Sequence, residues 1–276
     1  KGDTLTVVAG NIRGGLAKKC EHIRNVFDDL GADVYVLSET WWSGAEPPPE
    51  LVRAIAPHRV FTHGREWERS RAVAIIVHED LETKGEIKRD LSAGAMAIDV
   101  LTEAGECRIA TVNFPPGLDN ARTLSFAEAK RAADRARRKV VNEKNTYEKG
   151  GKSDACGVVK SSEKRDEAER LRQVLKEWRQ GVAQMIVAGD VNETFDGTVD
   201  RVRSTLSGLK PGICRAGSTI RHMVLTDGWA DMFAYADTED GRFTRTDTRG
   251  SKSRIDYVLT YPPPRGCNAN VASFVT

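Results

Sequence analysis

In the stretch MIVAGDVN (residues 185–192), Asp190 and Asn192 stand two residues apart, a carboxylate beside an amide. A carboxylate can take a proton from water, and a neighbouring amide can hold that water in place. The apolar run before them reads as a buried strand that delivers its last side chains to a sheet edge. In extended backbone, residues two apart share one side of the chain. Taken alone, however, the trio Asp190-Val191-Asn192 is better read as an Asx turn closing a strand.

Three further polar residues share that context: Asn11 after LTVVAG, Glu39 after DVYVLS, and Asp256 within RIDYVLT. Singly, each has an ordinary explanation: a turn residue, a solvated charge, and an ion pair with Arg254. Together they make the oxygen ligand set of a hard divalent cation. Mg²⁺ takes one or two carboxylates plus water and substrate phosphate, and Mn²⁺ suits the same ligands. No His/Cys spacing points to zinc, no GxxxxGK[ST] or GxGxxG loop to a nucleotide, and no GxSxG elbow to a serine nucleophile.

The elements that must position these residues follow from periodicity. Strands are predicted over residues 5–9, 33–38, 72–78, 95–101, 107–114 and 254–260. Apolar residues at helical spacing (Leu16, Cys20, Ile23, Val26, Phe27, Leu30) predict a helix over 16–30, stopped by Gly31. Further helices are predicted over 123–141 and 163–180, and a short one over 199–206. The prolines at 47–49 mark a loop. Residues 142–162, rich in Lys, Gly and Ser, look like a flexible surface insertion. Strands and helices alternate and then give way to closely spaced strands, without a linker that divides residues 1–276. One α/β domain with more than one sheet is therefore expected.

Composition narrows the function classes only a little. A net charge of +2 does not by itself establish a nucleic-acid partner. Cys20, Cys107, Cys156, Cys214 and Cys267 are an odd number without close pairs, which suits reduced thiols in an intracellular protein. No apolar run approaches the roughly 20 residues of a membrane span, so no membrane partner is expected.

The order strand-Asn11, LSETW with Glu39, GDVN with Asp190 and Asn192, and SRIDYVL with Asp256 resembles the endonuclease/exonuclease/phosphatase superfamily. Its members include type I deoxyribonuclease, exonuclease III-type abasic-site endonucleases, inositol polyphosphate 5-phosphatases and sphingomyelinases. The SRIDY run, the tandem Trp41-Trp42 and the VNFPP segment (residues 112–116) most resemble the endonuclease domains of LINE-type (non-LTR) retrotransposons. The resemblance implies an α/β fold, a four-layered sandwich with two facing mixed β-sheets and the active site at their common edge. It also implies Glu39 as the principal metal carboxylate with Asn11 beside it, and Asp190 as the group that activates water. Asn192 would bind phosphate or water, and Asp256 would orient a histidine. Arg13, Trp41, Trp42 and Arg254 are the expected DNA contacts.

Two departures stand out. Asn113 occupies the place of the family's tyrosine, so an amide replaces a phenol there. The family's C-terminal SDH-type motif is expected just past Thr276, because none of His22, His58, His63, His78 or His222 stands in its context. The expected activity is Mg²⁺-dependent nicking of double-stranded DNA that leaves a 3′-hydroxyl for a linked reverse transcriptase, with the nucleus as the expected location. Two alternatives stay open: a phosphoesterase acting on inositol phosphates or phospholipids, and a catalytically silent nucleic-acid-binding module. Basic residues around the insertion (Arg131, Arg135, Arg137, Arg138, Lys139) read equally as a DNA track or a solvated face.

Overall fold

Residues Val34–Ser38 (VYVLS) are buried at every position, so both faces of this strand need cover. On one face, Val34 and Val36 join Val73, Ile75 and Val77 against Met96, Ile98, Ile109 and Ala188, which come from a second sheet. On the other, Tyr35 and Leu37 pack with Ile23, Phe27, Leu51 and Ile55 from helices. The second sheet repeats the pattern. Its outer face (Ala110, Val112, Val187, Leu259) packs against Ala168, Leu171, Leu175, Ile220 and Met223, again from helices. Helix, sheet, sheet, helix is the four-layered α/β sandwich, and the two inner faces form one apolar layer between the sheets.

The computed structural model describes residues 5–90, 94–115, 156–192, 201–205, 208–211, 218–232, 245–246, 252–253 and 255–263. The first sheet has the order β1-β2-β4-β3, from Val7–Asn11, Val34–Ser38, Val73–Val77 and Arg59–His63 respectively. β1 and β2 are parallel and the other pairs antiparallel. The second sheet has the order β11-β14-β8-β7-β6-β5. Its strands are β5 Thr83–Arg89, β6 Ala95–Thr102, β7 Gly105–Asn113, β8 Gln184–Asp190, β11 Ala230–Asp231 and β14 Asp256–Tyr261. Here only β7 and β8 run parallel. Short strands β9 Arg201–Thr205, β10 Gly208–Pro211, β12 Arg245–Thr246 and β13 Lys252–Ser253 make a small antiparallel sheet. Helices α1 Cys20–Asp29 and α2 Pro49–Ile55 cover the first sheet, and α3 Cys156–Trp178 and α4 Ser218–Leu225 cover the second.

Several local expectations are corrected. The prolines at 47–49 lead into a helix: Pro49 occupies the first helical turn, where a missing N–H costs nothing, and Leu51 and Ile55, four apart, bury one face. Residues 201–205 are a strand, not part of a short helix, because they pair with β10 and with β13 about fifty residues away in the chain. Strands β3 and β5, unanticipated from the pattern, are edge strands whose charged residues mask the period-2 signal. The long helix starts at Cys156, inside the segment read as a flexible insertion, since a docked helix extends cheaply once nucleated. Residues 142–155 and the helix expected over 123–141 lie outside the described residues.

Gly31 does end α1, in left-handed backbone (φ 56°), with its N–H donating to Asp28 O and that of Ala32 to Phe27 O. Among the described residues no helix is long and apolar enough to cross a membrane.

Candidate active site

Strand alternation decides what meets at the end of the sandwich. Val7 and Ala9 of β1, Val34 and Val36 of β2, Ile109 of β7, Ile186 and Ala188 of β8 and Val258 of β14 all belong to the layer between the sheets. Counting on by two from each reaches Asn11, Ser38, Asn113, Asp190 and, backwards, Asp256. These polar residues therefore share the inner layer at one edge. Strand register locks them together: Asn11 lies opposite Ser38, Asn113 opposite Asp190, and Asp256 opposite Asp190.

Asp190 is the centre of this edge. It is 1% exposed, and both its oxygens accept hydrogen bonds. Asn192 N donates to Oδ1 (2.8 Å) and Asn11 Nδ2 donates to Oδ2 (3.2 Å), the latter joining the two sheets. The Asn11 amide is itself oriented, because its Oδ1 accepts Arg13 N at 3.0 Å. Asn192 is anchored by Nδ2 donating to Phe114 O (2.8 Å), while Phe114 N donates to Asp190 O (2.8 Å) and Val191 N to Ile255 O (2.8 Å). The Asx turn read from the sequence is thus present, and it is the same structure that aims the carboxylate. Gly189 must be glycine: its φ is +141°, and a Cβ there would stand 2.1 Å from Val112 O.

Glu39 directly follows β2 in left-handed backbone (φ 50°), and its carbonyl accepts Gly14 N at 2.6 Å, tying the two loops after β1 and β2. Among the described residues, the non-glycine residues with positive φ are Arg13, Glu39, Trp41 and Asn192. All four lie in these strand-end turns, and such strain collects where function over-determines geometry.

The tandem tryptophans divide. Trp42 is partly buried against the α1/α2 core, with its indole N–H donating to Glu46 O (2.6 Å). Trp41 is 52% exposed, and its ring lies on Gly14 (φ 80°), where an added Cβ would come within 2.4 Å. Arg13 is exposed beside it, and Arg254 lies outside the described residues, as do Arg131, Arg135, Arg137, Arg138 and Lys139. Asn113 is 2% exposed; its Nδ2 donates to Ser70 O (2.8 Å) and its carbonyl accepts Arg71 Nε (3.1 Å). That carbonyl contact, and the part of residues 70–72, carried no motif from which to anticipate it. His63 ends the edge strand β3 and bonds Asp90 O (2.7 Å), on the far side of the first sheet from β1.

Among the described residues no three His, Cys, Asp or Glu side chains form a ready metal cluster. The inner-layer oxygen donors are instead those of Asp190, Asp256 and the Asn11 amide, with Glu39 on the turn that directly follows β2. Such hard donors fit a cation that keeps several waters and takes its remaining ligands from phosphate.

The family model for the Endonuclease/Exonuclease/phosphatase family matches residues 10–268, nearly the whole chain. The chain belongs to this family. Its members are hydrolytic nucleases or phosphatases, and the chain is a hydrolase of that kind. Superfamily nucleases typically use divalent metals. Solved structures share the fold at low identity. An AP endonuclease from Archaeoglobus fulgidus is 16% identical, with a TM-score of 0.59, over 94% of this chain and 88% of its own. A 3′ phosphatase from Neisseria, bound to a product DNA hairpin, is 15% identical with a TM-score of 0.57, over 94% and 87%. The D. rerio TDP2, complexed with a single-strand DNA product, is 14% identical with a TM-score of 0.54, over 95% and 86%. No curated protein sequence matches.

Proposed function

We propose that the chain is a Mg²⁺-dependent DNA endonuclease that nicks double-stranded DNA by phosphodiester hydrolysis and leaves a 3′-hydroxyl. The observation that carries this reading is the bonded arrangement Asn11–Asp190–Asn192 at the common edge of two sheets, with the open Trp41 ring on the loop that carries Glu39. Asp190 accepts the proton of the attacking water, a role worth on the order of 10²–10⁴-fold. The hydrogen bonds from Asn11 Nδ2 and Asn192 N hold it in one orientation, so little reorganisation accompanies the proton transfer. Asn192 holds the water or a phosphoryl oxygen, and Asp256, opposite Asp190, would orient a histidine. Glu39 and Asn11 would hold the cation, with Mn²⁺ able to replace Mg²⁺. When bound, it supplies Lewis-acid neutralisation of phosphoryl charge.

DNA is favoured over an inositol phosphate or phospholipid because Trp41 presents an aromatic face beside the site, suited to stacking on a base. The AP endonuclease, the 3′ phosphatase and TDP2 among the structural relatives are DNA-processing proteins in keeping with this choice. The LSETWW, VNFPP and SRIDY segments support the narrower reading that the nick primes a reverse transcriptase in the same polyprotein.

The test is supercoiled-plasmid nicking with Mg²⁺, comparing the wild type with Asp190→Ala. The wild type should relax the plasmid, and the variant should fall by about 10²–10⁴-fold. Equal nicking by the variant, or turnover of an inositol phosphate or sphingomyelin without action on DNA, would overturn the assignment.

A further inference from the structure

Arg71 is 2% exposed and ends a 3-10 helix (Glu66–Arg71) between β3 and β4. A buried guanidinium is costly unless its donors are used, and here they reach across the sandwich. Nε donates to Asn113 O (3.1 Å) at the end of β7, and Nη1 pairs closely with Glu167 on α3. Room for this head exists because residue 94 is glycine: a Cβ there would stand 2.2 Å from Nη2.

The residues on either side of Arg71 do the same work. Ser70 O accepts Asn113 Nδ2 (2.8 Å), and Ala72 O accepts Thr40 N (2.9 Å), the residue after Glu39. Three consecutive residues thus hold the turn carrying Glu39 in one sheet and the end of β7 in the other. From Asn113 the connection continues through one peptide. Phe114 N donates to Asp190 O, and Phe114 O accepts Asn192 Nδ2, while Asn192 N donates to Asp190 Oδ1.

Resting on the hydrolytic reading of Asp190, we propose that Arg71 is a positioning residue, whose guanidinium clamps the Asn113 carbonyl so that the 113–114 peptides hold Asp190 and Asn192 in their reactive orientation. Arg71 itself touches neither substrate nor reacting atoms. A purely stabilising arginine would act through Glu167, whereas a positioning one acts through Asn113, and the two contacts can be removed separately.

The test compares Arg71→Lys, Glu167→Gln and Asp190→Asn by thermal unfolding and by steady-state nicking with Mg²⁺, measuring kcat and KM. Arg71→Lys keeps a positive charge near Glu167 but loses the Nε donor to Asn113. It should lower kcat by about a hundredfold, the scale of a small misplacement of catalytic groups, with KM held within about twofold. Glu167→Gln should lower the melting temperature with kcat within about twofold of wild type. Should Arg71→Lys fail to fold, Gly94→Ala displaces the guanidinium from Asn113 and should show the same kcat-selective loss. Wild-type kcat in Arg71→Lys or Gly94→Ala overturns the inference, and so does a kcat loss in Glu167→Gln as large as that in Arg71→Lys. Asp190→Asn separates the two levels. If it nicks like wild type, the reading of Asp190 falls and the clamp falls with it. If it is inactive while Arg71→Lys is not impaired, only the clamp falls.

Discussion

The two ends of the sandwich are built on opposite plans. At the end where β1, β2, β7 and β8 finish, left-handed turns at Arg13, Glu39, Trp41 and Asn192 hold polar residues toward one another. At the other end, polar groups are sealed into closed pairs. Asp99 of β6 and Arg108 of β7 lie opposite each other, bonded at 2.5 and 2.6 Å, and Arg108 also donates to the Trp178 carbonyl at the end of α3. His58 and His78 pack there beside Phe27, the two imidazoles tilted with ring centroids 4.6 Å apart and both Nδ1 atoms accepting backbone N–H groups. Backbone strain thus collects in the turns of the candidate site, while closed polar pairs order the layers at the opposite end.

The largest expected effect tests the anchoring end. Arg108→Ala leaves Asp99 buried without its partner and should lower the unfolding free energy by about 3–5 kcal/mol in urea titration. Nicking per folded molecule should be unchanged, since the pair lies at the far end of β7 from Asn113. Unaltered stability would break the contrast. A smaller effect of opposite sign is expected at the other end. Glu39→Gly relieves a φ of 50° and should raise stability by about 1 kcal/mol while nicking is lost. A stability loss instead would show that Glu39 is not strained.

The smallest effect is in pH. Burial first, and then the neighbouring His78, hold the His58 imidazole below its ordinary value of 6.5, against a partial opposite pull from Asp28 and Glu79. The folded state therefore binds this proton less readily than the unfolded chain. Its contribution is complete above pH 6.5 and is lost as pH falls below that value. Melting temperatures between pH 8 and pH 5 should fall on the acid side, less steeply in His58→Gln. A slope identical to wild type would remove the histidine pair from the account.

Much of the candidate site was legible because strands alternate. Asp190 and Asn192 after an apolar run, and Asn11 and Glu39 after two more, are strand-end residues by pattern alone. The sheet edge they share follows from the parallel pairings of β1 with β2 and β7 with β8. Trp41 and Trp42, alike on paper, were separated only by packing: one found the α1/α2 core and the other lay across Gly14. Edge strands β3 and β5 and the helix behind Pro49 were hidden because charge and proline obscure periodicity where one face meets water.

The family, the layered α/β class and the residue types at the strand ends are all legible in the chain before folding, since they rest on local periodicity and short motifs. Which of them bond to one another depends on packing between distant segments. The Asn11–Asp190 contact spans 179 residues, and the Arg71–Asn113 contact spans 42. No local pattern encodes which carbonyl a buried guanidinium will reach, because that choice is made by the packing of one sheet on another.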